Sequence, residues 1–278
     1  MDPRRRRVFA KVNHLREILE DDAAAGRLDL AALEVASIHF PDLAVQPVLD
    51  QLNELASRLA DRMRNFNDGR DFVETAQRYL FQELGFHGNE ADYFDPLNSC
   101  LNQVLERRTG IPITLSVMYM EIARRLSMPV FGIGLPRHFI IQYDDGNYAT
   151  FIDPFHGGRT LTPRECFALA GAEVADLSLL RRVSKKQIAM RMLQNLHGVY
   201  LRRQDFARAV GTLDLLIVGA PDVPAVYKRR GVLLLGLKRF QAARQDLEKY
   251  LAMEPEAEDG EDVRKQIEAI HRWLARVN

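Results

Sequence analysis

The spacing of apolar residues predicts helices over most of this chain, interrupted by one short group of strands. Between residues 8 and 66 apolar side chains recur at intervals of three and four, as in Val48, Leu52, Leu55 and Leu59. This is the spacing of one buried helical face. The N-terminal region is therefore expected to form several amphipathic helices.

The middle of the chain changes from a helical to an extended pattern. A helix predicted over residues 99–108 ends near Gly110, and Pro112 begins another that runs to about Leu126. Proline is well tolerated in the first turn of a helix. Three apolar, extended segments follow, over residues 129–135, 138–143 and 148–153.

A hairpin is predicted between the last two of these segments, because Asp-Gly between apolar strands is a strong turn signal. If Asp145 and Gly146 are the two central residues, His138 lies directly opposite Asp153. Directly opposed residues have Cβ atoms about 4.5–5.5 Å apart, close enough for an imidazole–carboxylate hydrogen bond. The pair is either the base half of a nucleophile–His–Asp triad or a contact that stabilises the hairpin, and the pattern favours neither.

After Ser184, which forms a predicted capping box with Gln187, the chain reads as helices only. This region contains an internal repeat with a period of ~34 residues. The repeat aligns Phe206 with Phe240, Ala209 with Ala243, Leu213 with Leu247 and Pro221 with Pro255. Gly231 provides a small residue where two helices would cross closely, and His197 takes the equivalent place in the first copy.

The period and the small residues resemble the tetratricopeptide repeat. Such helix pairs bind peptides on a concave face, and residues 258–277 would form a capping helix with Trp273 and Leu274 over the exposed end. The alternative is that these helices mainly support the first domain, because two repeats are fewer than the roughly three needed to stand alone.

Composition and charge narrow the classes of function. Lys plus Arg and Asp plus Glu number 38 each, so no direct nucleic-acid binding is expected, and the arginine run at residues 4–7 is expected to be a solvated end. No apolar run reaches the ~18 residues of a membrane span, and no secretory signal is recognisable. Cys100 and Cys166 lack metal-ligand spacing. We therefore expect a cytoplasmic protein with no cofactor and no metal.

The segment GIPITLSVMYMEIARRLSMPVFGIGLPRHFIIQYDDGNYATFIDPF, residues 110–155, resembles the transglutaminase-like superfamily. The chain as a whole resembles its bacterial SirB branch, in which tetratricopeptide repeats follow that domain. The resemblance implies an α+β fold: a mostly helical, papain-like domain with a small antiparallel sheet. We expect this domain, with the N-terminal helices, over residues 1–182 and an all-α repeat domain over 183–278.

The resemblance also assigns the catalytic positions. In catalytic members a cysteine opens a helix just after a glycine, and a histidine and an Asp-Pro pair follow on strands. His138 matches the triad histidine and Asp153 the triad aspartate, whereas the count back from Ser127 places Pro112 at the nucleophile position. Proline has no nucleophilic side chain, so the resemblance points to a pseudoenzyme.

Other side chains are candidates for the same cleft. Cys100 is either a relocated nucleophile or a buried small apolar residue. Arg107 and Arg108 are candidates for an anion site or for surface salt bridges, and Ser116 and His156 are candidate cleft residues or an ordinary core serine and surface histidine.

Three functions remain open from the sequence. The first is a non-catalytic regulator that binds a protein or peptide, with no nucleic-acid or membrane partner. The second is a cysteine hydrolase or acyltransferase that uses Cys100 with His138 and Asp153. The third is a structural scaffold in which the histidine–aspartate pair only stabilises the hairpin.

Overall fold

The computed structural model describes residues 13–21, 26–172 and 175–277, so the predicted solvated end at residues 4–7 lies outside the described residues. The described residues up to Met192 form one compact unit and those from Leu193 form a second. None of the described helices is long and apolar enough to span a membrane.

Among the described residues, six α-helices precede the main sheet in the first unit: α1 (Asn13–Glu20), α2 (Leu28–Ala36), α3 (Val45–Ala60), α4 (Gly69–Ala76), α5 (Leu101–Arg107) and α6 (Pro112–Arg125). The apolar face predicted for α3 is buried. Helix α4 was not predicted from the spacing of apolar residues; Asp68 caps it by accepting hydrogen bonds from two backbone N–H groups. A π-helical segment, Gln77–Glu83, continues α4.

Helix α6 begins where the sequence predicts. Ile111 is extended and precedes Pro112, the first helical residue. This position suits proline because the first N–H groups of a helix have no partner within the helix. Most side chains of α6 are buried, so the helix lies within the core of the first unit.

Two sheets complete the framework. A short parallel pair joins β1 (His87–Gly88) to β2 (Thr109–Gly110). A four-stranded antiparallel sheet follows the order β3 (Val130–Ile133), β4 (Ile140–Asp144), β5 (Ala149–Asp153) and β6 (Arg159–Leu161). The apolar segments in the sequence predict β3, β4 and β5, whereas β1, β2 and β6 were not predicted. The small antiparallel sheet expected of the fold class is confirmed.

The turn between β4 and β5 differs from the prediction. Asp145 N donates to Tyr148 O at 3.2 Å, so the two central residues are Gly146 and Asn147. Gly146 has a φ of +88°, which suits glycine at the first position of a type II′ turn. Asp145 Oδ1 stabilises the turn by accepting hydrogen bonds from the backbone N–H groups of Asn147 and Tyr148, each at 2.8 Å.

This shift of the turn changes the register of the hairpin. Ile141 pairs with Ile152, so His138 is not directly opposite Asp153, and that prediction was wrong. Strand β4 also begins at Ile140 rather than at residue 138. His138 therefore lies in the loop before the strand, and its contact with Asp153 has a different origin.

The first unit continues beyond the sheet through α7 (Pro163–Leu169) and into α8 (Lys185–Arg202). The predicted capping box is present: Ser184 N donates to Gln187 Oε1 at 2.8 Å, and Gln187 N donates to Ser184 Oγ at 3.2 Å. The division between the units falls within α8. The domain boundary after residue 182 remains a prediction; the compact units divide later, between Met192 and Leu193.

The second unit repeats its geometry with the period predicted from the sequence. Its remaining helices are α9 (Phe206–Gly219), α10 (Pro224–Gly236), α11 (Phe240–Met253) and α12 (Gly260–Val277). Helix α11 begins and ends one repeat period after α9, and α10 ends one period after α8. Gln204 and Lys238 are equivalent in the two copies and have left-handed φ values of 58° and 57°. The predicted repeat is confirmed.

The two copies of the repeat differ at one helix crossing. A Cβ atom on Gly231 would lie 3.3 Å from Ala243 O, which confirms the close approach predicted there. In the first copy His197 Nδ1 lies 3.2 Å from Ala209 O and 2.9 Å from Thr212 Oγ1. Burial lowers the pKa of His197. A hydrogen-bonded imidazole therefore occupies the place of a close backbone contact.

Helix α12 covers the last repeat, as predicted. The Trp273 ring packs against Phe240 with 4.0 Å between ring centroids, and Leu274 packs against the apolar cluster of this unit.

Candidate functional site

His138 reaches Asp153 from a turn that precedes β4. Arg137 has a φ of 57°, and His138 N donates to Leu135 O at 3.3 Å, so the backbone reverses before the strand begins. His138 Nε2 lies 3.1 Å from Asp153 Oδ1. The structure thus contains the histidine–aspartate contact that the sequence predicted, although the register that predicted it was wrong.

Both oxygens of the Asp153 carboxylate are hydrogen-bonded. Besides His138, Oδ1 accepts from Phe155 N at 3.1 Å and from His156 N at 3.4 Å. The other oxygen, Oδ2, lies 2.6 Å from His156 Nδ1. The candidate residue His156 therefore joins the pair, and we call His138, Asp153 and His156 the His–Asp–His cluster.

The electrostatics of this cluster favour an ionised aspartate. Burial by itself would raise the pKa of Asp153, but the hydrogen bonds and charges of His138 and His156 outweigh it, and the pKa is lowered. Asp153 is completely buried, whereas the His138 side chain is 11% exposed and that of His156 is 37% exposed. The two imidazoles thus lie between the carboxylate and the surface.

The cluster also has the composition of a two-histidine, one-carboxylate metal site. One ligand atom from each of the three residues lies within 4.8 Å of the others. Each ring nitrogen nevertheless lies at hydrogen-bonding distance from a different oxygen of Asp153. Hydrogen bonding accounts for this arrangement without an ion, and the expected absence of a metal remains a prediction.

Aromatic side chains surround the cluster. The Phe155 ring lies edge-on to His138, with 5.9 Å between centroids, and edge-on to His156 at 5.0 Å. Tyr93 lies 6.1 Å from Phe155 and 5.3 Å from Phe94. We call Tyr93, Phe94 and Phe155 the aromatic platform. Tyr93 and Phe94 are substantially exposed, so this apolar surface is open to a ligand.

A buried asparagine holds the segment that carries Tyr93. Asn98 Nδ2 donates to Asp92 O at 2.8 Å and to Tyr93 O at 3.3 Å, while Asn98 Oδ1 accepts from Asn89 Nδ2 at 3.0 Å. These bonds fix the backbone on both sides of the segment between β1 and α5. The position of the platform is therefore set by internal hydrogen bonds.

Strand β1 connects the cluster to the start of α6. Gly88 N donates to Phe155 O, and Asn89 N donates to Gly110 O, both at 3.0 Å. A Cβ atom on Gly88 would lie 2.4 Å from the Phe155 ring, so only glycine fits there. Shortly after Gly110, the helix begins with Pro112, the position that the resemblance assigns to the nucleophile.

The hydroxyl and thiol groups near this helix are buried. Cys100 precedes α5, is completely buried, and its Sγ lies 3.5 Å from Pro96 O. Thr114 and Ser116 lie on α6 and are also completely buried; among the described residues their hydroxyl groups have no hydrogen-bond partner. Cys166 is buried in the apolar cluster beside the sheet, and burial raises its pKa to about 12.

The two arginines proposed for the cleft have structural contacts. Arg107 Nη1 lies 2.7 Å from Asp95 Oδ2 in an ion pair. Arg108 has a left-handed φ of 57° after α5, and its Nη1 donates to Leu84 O at 2.8 Å. Neither contact joins these residues to the His–Asp–His cluster.

Neither the aromatic platform nor one further cation at the site was predicted from the sequence. Arg191, on α8, donates from Nη2 to His138 O at 2.6 Å. The two residues are far apart in the sequence, and no local pattern indicates such a contact. Phe155 lies between Asp153 and His156 in the sequence. Its place near the cluster could therefore have been inferred once both neighbours were candidates for the site.

Comparisons with known proteins agree with this fold. The family model of the transglutaminase-like superfamily matches residues 46–194, and a tetratricopeptide-repeat model matches residues 196–268. No solved structure matches the chain.

Among relatives, a UPF0162 protein of Xylella fastidiosa is 34% identical over 241 residues, covering 84% of this chain and 86% of the relative. A UPF0162 protein of Vibrio cholerae is 26% identical over 258 residues, covering 91% and 96%. Human F-box only protein 21 is 36% identical over 154 residues, but these are 51% of this chain and 24% of that protein. The chain therefore belongs to the transglutaminase-like superfamily, in its bacterial SirB-like branch with C-terminal tetratricopeptide repeats.

Proposed function

We propose that this protein is a non-catalytic regulator of the cytoplasm that binds a protein or peptide through its degenerate transglutaminase-like cleft. The observation that carries the proposal is a proline at the position that the resemblance assigns to the nucleophile, together with a histidine–aspartate contact. Pro112 occupies the first position of α6, whereas His138 and Asp153 keep a 3.1 Å contact. A histidine oriented by aspartate has no attacking group to activate when the nucleophile is missing.

The burial of both cysteines supports the same proposal. Cys100 and Cys166 are each completely buried. A catalytic thiol must reach its substrate and is normally held near a positive charge that lowers its pKa. Burial instead raises the pKa of Cys166 to about 12. Two thiols shielded from solvent are poor candidates for acyl transfer.

The site is better suited to binding than to chemistry. The aromatic platform exposes apolar rings next to two partly exposed imidazoles. The rings can pack against the side chains of a peptide, and the imidazoles can donate hydrogen bonds to its backbone carbonyls. The tetratricopeptide repeats offer a second surface of a type used for protein interaction.

The second candidate is a cysteine hydrolase or acyltransferase that uses Cys100, and an activity assay separates it from the first. The full chain, His138→Ala and Cys100→Ser are compared for ester hydrolysis and for glutamine–amine acyl transfer. We expect all three to match buffer. An activity that both substitutions abolish would overturn the proposal and establish the enzyme.

Binding is tested by placing a photo-cross-linking amino acid at Tyr93, with Phe66, which is also exposed, as the control position. We expect a bacterial protein to cross-link from Tyr93 and not from Phe66. Once that partner is identified, His138→Gln and His138→Ala should each weaken its binding to this protein about tenfold or more. Reduced stability with unchanged affinity would instead support the structural scaffold.

A further inference from the structure

Arg191 is a cation held at the edge of the His–Asp–His cluster. Its Nη2 donates to the backbone carbonyl of His138 at 2.6 Å, and its guanidinium carbon lies 5.5 Å from the centroid of the Phe139 ring. The side chain is therefore fixed in position and orientation next to the candidate binding site.

This guanidinium lacks the carboxylate partner that buried arginines in the same chain have. Arg125 Nη2 lies 2.6 Å from Asp29 Oδ2, and its Nη1 lies 3.0 Å from Glu121 Oε2. For Arg191, no ion pair occurs within residues 13–21, 26–172 and 175–277. Burial lowers the pKa of Arg191, and the neighbouring Tyr93 acts in the opposite direction.

An unpaired, partly buried cation is costly, because desolvation weakens its hydration and no opposite charge compensates. A guanidinium has five N–H groups, and the described residues account for one of them, the bond to His138. Gly134 faces Nη1: a Cβ there would lie 3.4 Å away, so no side chain of residue 134 covers this face. The remaining donors are available to a ligand.

We propose that Arg191 binds the carboxylate of a peptide ligand whose adjacent side chain packs on the aromatic platform. The proposal deepens the function proposed above and rests on it. A planar guanidinium matches a carboxylate through two parallel hydrogen bonds. A single cation suits a monoanion better than a doubly charged phosphate. The carboxylate is either the C-terminus of the peptide or an Asp or Glu side chain.

Three dipeptide probes distinguish these sources: N-acetyl-Ala-Phe with a free C-terminus, its C-terminal amide, and the amide of N-acetyl-Glu-Phe. The phenylalanine is chosen for the platform. Binding to the full chain is followed by NMR, using the ring protons of the histidines and the Nε–Hε signals of the arginines. We expect the free acid or the glutamate amide to bind at least tenfold more tightly than the neutral amide, and whichever does so identifies the source.

Two variants and a matched control test the role of the residue. Arg191→Gln should remove the preference for a carboxylate. Arg191→Lys keeps the positive charge but cannot form two parallel hydrogen bonds, so it should reduce this preference at least threefold. Arg182→Gln should preserve it, because Arg182 also lies over a phenylalanine, Phe131 at 3.7 Å, but already pairs with Asp144. Circular dichroism confirms that each variant is folded.

Two results would overturn the inference. Equal binding of all three probes would show that the site accepts peptides without recognising a carboxylate, which leaves the proposed binding function intact. No binding of any probe would also overturn it, whereas the proposed function is decided separately by the partner cross-linked from Tyr93.

Discussion

The two units of the chain place their polar groups by different means. In the repeat unit, Arg230 pairs with Asp214 at 2.8 Å and with Asp246 at 2.7 Å, all on helices of the repeats. In the transglutaminase-like unit, Asp153 takes its partners from loops, and Arg191 has none of opposite charge among the described residues. Regular helix pairs in the repeats satisfy charges by local geometry, whereas Arg191, also on a helix, donates to a loop carbonyl and not to a carboxylate.

Backbone turns in the first unit depend on particular glycines, which gives the largest expected effect. Gly158 has a φ of 67°, and a Cβ there would lie 2.2 Å from the Phe81 ring. Gly158→Ala should therefore destabilise the protein by about 3 kcal/mol or more, from the clash and the left-handed backbone together. Urea unfolding followed by far-ultraviolet circular dichroism measures the loss.

The matched control is Gly157→Ala. Gly157 has a φ of 73°, but nothing lies within 4 Å of its added Cβ, so about 1–2 kcal/mol is expected. Equal losses for the two variants would contradict the close packing of Phe81. Trp273, the single tryptophan, lies in the repeat unit, so its fluorescence follows the unfolding of that unit separately.

The next effect concerns the carboxylate of the first unit. Asp153→Asn should lower the free energy of unfolding by about 2–3 kcal/mol at neutral pH. The reason is that the NH2 group of the amide would face N–H groups that are themselves hydrogen-bond donors. The folded pKa of Asp153 is lowered, so its contribution is present above the unfolded value of about 4 and is lost as the pH falls through the folded value. The difference between wild type and variant should shrink from pH 6 to pH 3. A constant difference would show that the charge of Asp153 is unimportant.

Within the repeat unit, glycines should show opposite effects of smaller size. Gly231→Ala places a Cβ 3.0 Å from Leu247 and should destabilise by about 1 kcal/mol. Gly198→Ala, within α8 and with nothing near its added Cβ, should stabilise by about 0.5–1 kcal/mol. Urea unfolding followed by Trp273 fluorescence measures both changes, and shifts of the same sign would contradict the close crossing at Gly231.

The smallest effect comes from the buried imidazole of the first repeat. The pKa of His197 is lowered in the folded state, so its imidazole is protonated at a higher pH in the unfolded state than in the folded state. The free energy of unfolding therefore falls as the pH drops below about 6.5. The loss should be less than about 1.4 kcal/mol per pH unit. His197→Gln should lose less stability than wild type between pH 7 and pH 5.5, as measured by Trp273 fluorescence. A steeper loss in the variant would contradict this account.

The same contrast explains how much the sequence could predict. The repeat follows from spacings within a single repeat period, and the final capping helix and the close crossing at Gly231 occur where those spacings place them. The hairpin register depends on one choice between two overlapping turn signals, Asp145-Gly146 and Gly146-Asn147. In the structure Gly146 and Asn147 are the central residues, and the positive φ of Gly146 suits a type II′ turn.

The candidate site was predictable only in part. The family resemblance identified His138 and Asp153, and His156 was a candidate because it lies three residues after Asp153. Arg191 and Tyr93 join the site through long-range packing of α8 and of the segment before α5. The sequence around each residue is like that around any surface arginine or tyrosine. Composition and periodicity therefore do not indicate that they belong to the site.

The hydrogen bonds around Asp153 bear on how such families are inherited. Four donors converge on this carboxylate, so its loss would be selected against in any descendant that must remain folded. Natural selection for foldability alone can then preserve a histidine–aspartate pair whether or not the protein catalyses a reaction. Retention of that pair in a relative is therefore not by itself a sign of activity, and under the proposed function the residue at the start of α6 is the one to compare.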